Sequence, residues 1–107
     1  MVFKCGSVEV TVTPDEPAMG CLTAQYIIGV LKRKAAEHVP TALWLMAAPS
    51  AFAFYKALVA AAGQDAGLRD ILKKTHFFQF DDYPISRKDP KFKATFRSLL
   101  EENLFQP

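Results

Sequence analysis

The chain has 107 residues, half of them apolar, with 13 basic against 11 acidic side chains and a net charge of +2. That length suits one domain and not two, so residues 1–107 read as a single unit. A mixed charge close to balance gives no drive toward nucleic acid and is not that of a disordered segment.

Val8-Glu9-Val10-Thr11-Val12 alternates apolar and polar side chains, which predicts a strand near a sheet edge. Thr13, Pro14 and Glu16 follow with the spacing of a helix start, Thr13 as the cap and Pro14 in the first helical position. The helix is expected to run to about Glu37, with Leu22, Tyr26, Ile27, Val30 and Leu31 on its apolar side and Lys32, Arg33 and Lys34 in its last turns, where cations suit the dipole. Gly20 and Gly29 weaken it somewhat.

After Pro40, Leu43-Trp44-Leu45-Met46-Ala47 is a continuous apolar run, as in a strand covered on both faces. Ser50 suits the cap of an alanine-rich helix over 51–62, and Gly63 is a natural stop. Asp65 to Lys74 reads as a short helix with Leu68, Ile71 and Leu72 inward. His76 to Phe80 is the next strand, and Pro90 to about Asn103 the last helix, with Phe92, Phe96, Leu99 and Leu100 on one stripe. Strands alternating with helices predict an α/β fold, a Rossmann-like parallel sheet with flanking helices. Three strands leave sheet edges open, so the chain is expected to self-associate, edge to edge or by exchanging a terminal helix.

The most apolar stretch, Ala42 to Tyr55, is broken by Pro49 and Ser50 and falls short of the ~20 residues of a membrane span. The first twenty residues lack the pattern of a signal peptide. Cys5 and Cys21 have no disulfide or zinc-site spacing, and buried, reduced thiols in a cytoplasmic protein are expected. No metal or cofactor is indicated, and His38 and His76 stand alone. Phe52, Phe54 and Tyr55 read as core, Trp44 as core or interface.

Ligands of open α/β sheets sit outside the carboxyl ends of the strands. Two segments fall there. Asp81-Asp82-Tyr83 follows three phenylalanines, and a carboxylate in apolar surroundings can act as a general base; turn formation, closed by Pro84, accounts for the same residues. Ala47-Ala48-Pro49-Ser50 precedes a helix start and offers the Ser50 hydroxyl to an anion. It has no glycine, and Pro49 removes a donor, which reads more simply as a structural turn. The basic residues Lys32 to Lys34 and Arg87, Lys88, Lys91, Lys93 and Arg97 read as solvated helix faces, with an anion role for one group as the alternative.

Leu43 to Leu58 is similar to a strand, phosphate loop and Tyr-Lys-Ala-Leu helix of the glucosamine-6-phosphate deaminase / 6-phosphogluconolactonase family. Phe78 to Ile85, FQFDDYPI, resembles that family's Asp-Glu-Tyr segment, and Phe96 to Phe105 resembles its following helix. The resemblance covers nearly the whole chain and about two fifths of a full family member. It implies part of a deaminase/ribose-5-phosphate isomerase/CoA transferase-like fold. It implies an amino-sugar phosphate such as glucosamine 6-phosphate as substrate, Asp81 as general base with Asp82 in place of the glutamate, and Ala48, Ser50 and Tyr83 as substrate-binding residues. The loop has lost the family's glycines and one threonine, and the later segments are not present, which points to a fragment or truncated copy. Two alternatives stay open: a non-catalytic relative used for oligomerisation or sugar-phosphate sensing, and a lactonase-like hydrolase, which Tyr83 disfavours. The expected partners are a sugar phosphate and a second copy or a complementary chain.

Overall fold

The structure is a computed structural model that describes residues 1–106. It is a mixed α/β arrangement with two separate two-stranded sheets: strands β1 (Val2–Cys5), β2 (Val8–Thr11), β3 (Ala42–Leu45) and β4 (His76–Gln79), and helices α1 (Glu16–Ala36), α2 (Phe52–Gln64), α3 (Ala66–Lys74) and α4 (Phe96–Leu100).

β1 and β2 form an antiparallel hairpin with Cys5 opposite Val8. Gly6, at φ 64, is the first residue of its two-residue turn, and no residue but His38 joins it at positive φ without being glycine. That is the pattern of a type II′ turn, whose twist matches the strands it joins. The expected strand at Val8 is therefore real, but it pairs with the segment before it and does not belong to the parallel sheet. Nothing covers the hairpin: Phe3 and Val8 are exposed, and so is Cys5. Cys21 is also exposed on α1, so the expectation of buried thiols fails at both positions.

α1 starts two residues later than Thr13 and Pro14 predicted. Asp15 is the cap, its Oδ1 accepting from the Ala18 N–H at 2.8 Å, and the Thr13 hydroxyl donates to the Asp15 carbonyl at 3.1 Å. A carboxylate also complements the positive end of the helix dipole, which a threonine cannot do. At the other end the His38 N–H donates to the Ala35 carbonyl and the Val39 N–H to the Lys34 carbonyl, a Schellman closure with His38 in the left-handed position. The buried line along α1 is Gly20, Ala24 and Leu31, while Leu22 and Tyr26 face solvent. The small side chains of Gly20 and Ala24 let α1 lie close on α2, and of the expected apolar side Leu31 is buried and Ile27 and Val30 are half-buried.

β3 and β4 are parallel, Trp44 opposite Phe78, and α2 and α3 form the crossover between them. α2 runs through Gly63 to Gln64, and Asp65 then caps α3 through the Leu68 N–H. The core lies on one face of this sheet, where Leu45, Tyr55 and Leu100 are buried among Leu43, Phe52, Phe54, Phe77 and Leu104. The Tyr55 hydroxyl donates to the Met46 carbonyl, which fixes the end of β3 to α2. Burial pushes the Tyr55 phenol up.

The expected last helix is broken. Pro90–Ala94 is a 3₁₀ turn, Thr95 is extended, and α4 is followed by a π-turn over Glu101–Phe105. Thr95 causes the break: its buried hydroxyl donates to the Phe92 carbonyl and accepts from the Ser98 N–H, ending one turn and capping the next.

The other face of the β3–β4 sheet is bare. Trp44, Phe78 and Phe80 are 68, 49 and 65 % exposed, and their rings contact one another at 5.9 and 6.5 Å. The apolar run from Leu43 was expected to be covered on both sides; it is covered on one, because α1 packs on α2 and α3 and not on the sheet.

Candidate functional site

The segment after β4 leaves the sheet at its carboxyl end, held by the Phe80 N–H donating to the Leu45 carbonyl at 3.0 Å. Gln79 then folds back, its Nε2 donating to the Asp81 carbonyl at 2.7 Å. This turns the two aspartates apart.

Asp81 is exposed, and its carboxylate accepts no hydrogen bond from the described residues. It lines neither the hollow beside Ser50 nor that between α2, α3 and β4. Asp82 is fully engaged. Its Oδ1 accepts from the Tyr83 N–H at 2.7 Å and the Phe96 N–H at 2.9 Å, and its Oδ2 from the Arg97 N–H at 3.0 Å. It clamps the loop onto the start of α4. What burial it has raises its pKa, but the Gln79 amide and these three backbone donors outweigh that and hold the carboxyl below its usual range. Tyr83 is exposed and its ring lies 5.5 Å from that of Phe96, so it supports the same clamp from the side-chain face.

The other sequence-predicted residues lie elsewhere. Ala48 is half-buried, and its carbonyl accepts from the Ala51 N–H to close the 3₁₀ turn Pro49–Ala51. Ser50 is exposed and shares a hollow of about 530 Å³ with Thr13, Asp15, Glu16 and Met19. Two acidic residues therefore line the hollow in which the hydroxyl was expected to meet a phosphate, and their charge opposes that of an anion. The hollow that Ser50 lines includes no residue of the 81–83 segment.

The basic residues are also accounted for in part. Lys32 pairs with Asp65 at 2.7 Å, joining α1 to the α2–α3 corner. Arg87 and Arg97 both reach Glu101, and the Arg97 hydrogen bond, followed by that from Arg87, holds the Glu101 carboxyl below its usual range. The Arg87 guanidinium stands 5.5 Å over the Phe92 ring. Among the described residues no group of three potential metal ligands comes together, and no helix is long and apolar enough to cross a membrane.

The sequence marked Trp44 as core or interface but did not single out the exposed Trp44–Phe78–Phe80 face. The period-two spacing of Trp44 and Met46, and of Phe78 and Phe80, marks one face of each strand. It was hidden because the intervening residues are just as apolar.

No protein-family model matches the sequence, no curated protein does, and no solved structure does.

Proposed function

We propose that the chain is a non-catalytic fold half of the sugar-phosphate isomerase/deaminase kind, and that it works by pairing with a second copy of itself through the bare face of the β3–β4 sheet. The observation that carries this reading is the three-ring surface of Trp44, Phe78 and Phe80. Their exposed portions amount to about 400 Å² per copy, given ring side chains of up to ~250 Å² each. Two copies face to face would hide about 800 Å² of ring before Ala42, Met46 and His76 are counted, close to the ~1,000 Å² that a specific interface needs. Positions 42, 44, 46, 76, 78 and 80 carry no Lys, Arg, Asp or Glu. A two-fold contact sets a patch against its own copy, so an uncharged patch meets no like charge there.

The test is sedimentation equilibrium over a range of concentrations, for the wild type and for Trp44→Glu and Phe80→Glu. The wild type is expected to dimerise and both variants to remain monomeric with unchanged far-UV circular dichroism. A monomeric wild type at the highest concentration refutes the reading.

The catalytic alternative, an isomerase or deaminase using Asp81 on glucosamine 6-phosphate, has one supporting feature, a solvent-facing carboxylate just beyond the carboxyl end of a parallel strand. Calorimetric titration with glucosamine 6-phosphate separates the two: the pairing reading expects no saturable heat. Saturable binding, with turnover abolished in Asp81→Asn at unchanged affinity, would establish the enzyme instead.

A further inference from the structure

On the covered side of the sheet, α2, α3, β4 and the π-turn surround a hollow of about 500 Å³. Its walls are apolar: Leu58, Leu72, Phe77 and Leu104 line it, and the Phe105 ring meets Phe77 edge-on at 5.5 Å. The volume lies within the range of small-molecule sites. Arg69 and Lys73 also line it, and no Asp or Glu does.

The two cations are one helical turn apart on α3, so they sit on the same side of it. The Arg69 Nη1 donates to the Ala62 and Gly63 carbonyls at 2.7 and 3.2 Å, which fixes the guanidinium against the end of α2. Its Nε and Nη2 hydrogens are not used by these contacts, and a guanidinium carries five donors in all. Neither Arg69 nor Lys73 has a carboxylate partner among the described residues. An apolar hollow with a fixed guanidinium and a second cation one turn away is matched by a ligand with an apolar body and a single anionic head. A bare inorganic anion would leave the apolar walls wet, and a neutral apolar molecule would leave the cations unanswered.

We propose that this hollow binds a small amphipathic carboxylate, a medium-chain or aryl acid, with its head on Arg69 and Lys73 and its body against Leu58, Leu72 and Phe77. The site is on the opposite face of β4 from Phe78, so it stands or falls independently of the pairing of two copies.

The probe is decanoate, kept below its micellar concentration and titrated into the full chain by calorimetry, with decanol and inorganic phosphate as comparisons. Saturable binding of decanoate is expected, with decanol about tenfold weaker and phosphate silent. That ratio follows from about threefold for each partly exposed charge pair. Lys73→Gln is expected to weaken decanoate about threefold and leave decanol unchanged. Arg69→Gln should act in the same direction, but it also removes a tie to the end of α2, so Lys73→Gln is the deciding variant. Absence of saturable decanoate binding, equal affinity for decanol, or an unchanged affinity in Lys73→Gln overturns the proposal.

Discussion

Gly20→Ala tests how closely the two long helices depend on one another. A Cβ built on Gly20 lies 2.4 Å from the carbonyl carbon and oxygen of Ala53 and 2.7 Å from its Cβ. Non-bonded carbons settle at about 3.5 Å, so α1 and α2 must part by about 1 Å at this point. Two of the three atoms are backbone, so no rotamer change relieves the clash. Overpacking of this kind costs about 1–3 kcal/mol, against a gain of up to about 1 kcal/mol from replacing glycine inside a helix. The net expectation is a loss of about 1–2 kcal/mol. Gly29, on the same helix, has nothing within 4 Å of its Cβ position, so Gly29→Ala should keep the propensity gain alone. The propensity gain is common to both, so the two variants should differ by the overpacking cost alone, about 1–3 kcal/mol. Urea unfolding at one fixed protein concentration, followed by Trp44 fluorescence and circular dichroism, measures this. With a slope of about 1 kcal/mol per molar urea, the midpoints should lie about 1–3 M apart. Equal midpoints, or a Gly20→Ala midpoint at or above the wild type, would refute the close approach of α1 and α2.

Three further outcomes follow from the same contacts. Asp82→Ala should cost about 1 kcal/mol, since two N–H groups at the start of α4 lose their acceptor; hydrogen exchange at Phe96 and Arg97 should speed up first. Because the folded Asp82 carboxyl lies below its unfolded range, its stabilisation is present above about pH 3.9 and is lost as pH falls through the folded value. The acid limb of the stability–pH profile should therefore be shallower in Asp82→Ala than in the wild type. His38→Gly should raise stability by about 1 kcal/mol by removing a side chain from a left-handed position, read as a higher urea midpoint. Tyr55→Phe should lower it by about 1 kcal/mol through loss of the hydrogen bond to the Met46 carbonyl, with no change in sedimentation behaviour.

Where a local signal competed with no other, it was readable. The α2–α3 corner follows from Asp65, one residue past the helix that Gly63 was expected to stop, and β4 from its phenylalanines. The hairpin was legible as well, since Gly6-Ser7 between two short apolar runs is a two-residue turn signal, but it went unread beside the stronger alternation at Val8. Thr95 is different. The stripe of Phe92, Phe96, Leu99 and Leu100 fits an unbroken helix, and only the tertiary burial of the Thr95 hydroxyl decides that a cap forms there instead. At the candidate site, Asp82 as a turn and cap former was among the alternatives that Asp chemistry allows. That the start of α1, and not the 81–83 segment, completes the hollow beside Ser50 was not, because it is a contact between elements far apart in sequence. Gly20 and Gly29 make the same point: both look like weak positions in one helix, yet only Gly20 touches a neighbour.

The placement of α1 also bears on the bare sheet face. In a doubly wound sheet, helices cover both sides, and each parallel strand is apolar throughout. β3 and β4 have that composition: Leu43, Leu45 and Phe77 point to the core side, Trp44 and Phe78 to the other. α1 is the one long helix left to cover the second side, and its small-residue line of Gly20 and Ala24 commits it to α2 instead. A strand pair with apolar side chains on both faces and one layer of helices is short of a layer. The chain has no further long helix among its described residues to supply it. In the pairing proposed above a second copy supplies that layer, since the uncharged, ring-lined patch meets no like charge on its own copy. Loosening α1 by Gly20→Ala should for this reason weaken dimerisation as well as folding, whereas Trp44→Glu should abolish dimerisation with the α1–α2 packing intact.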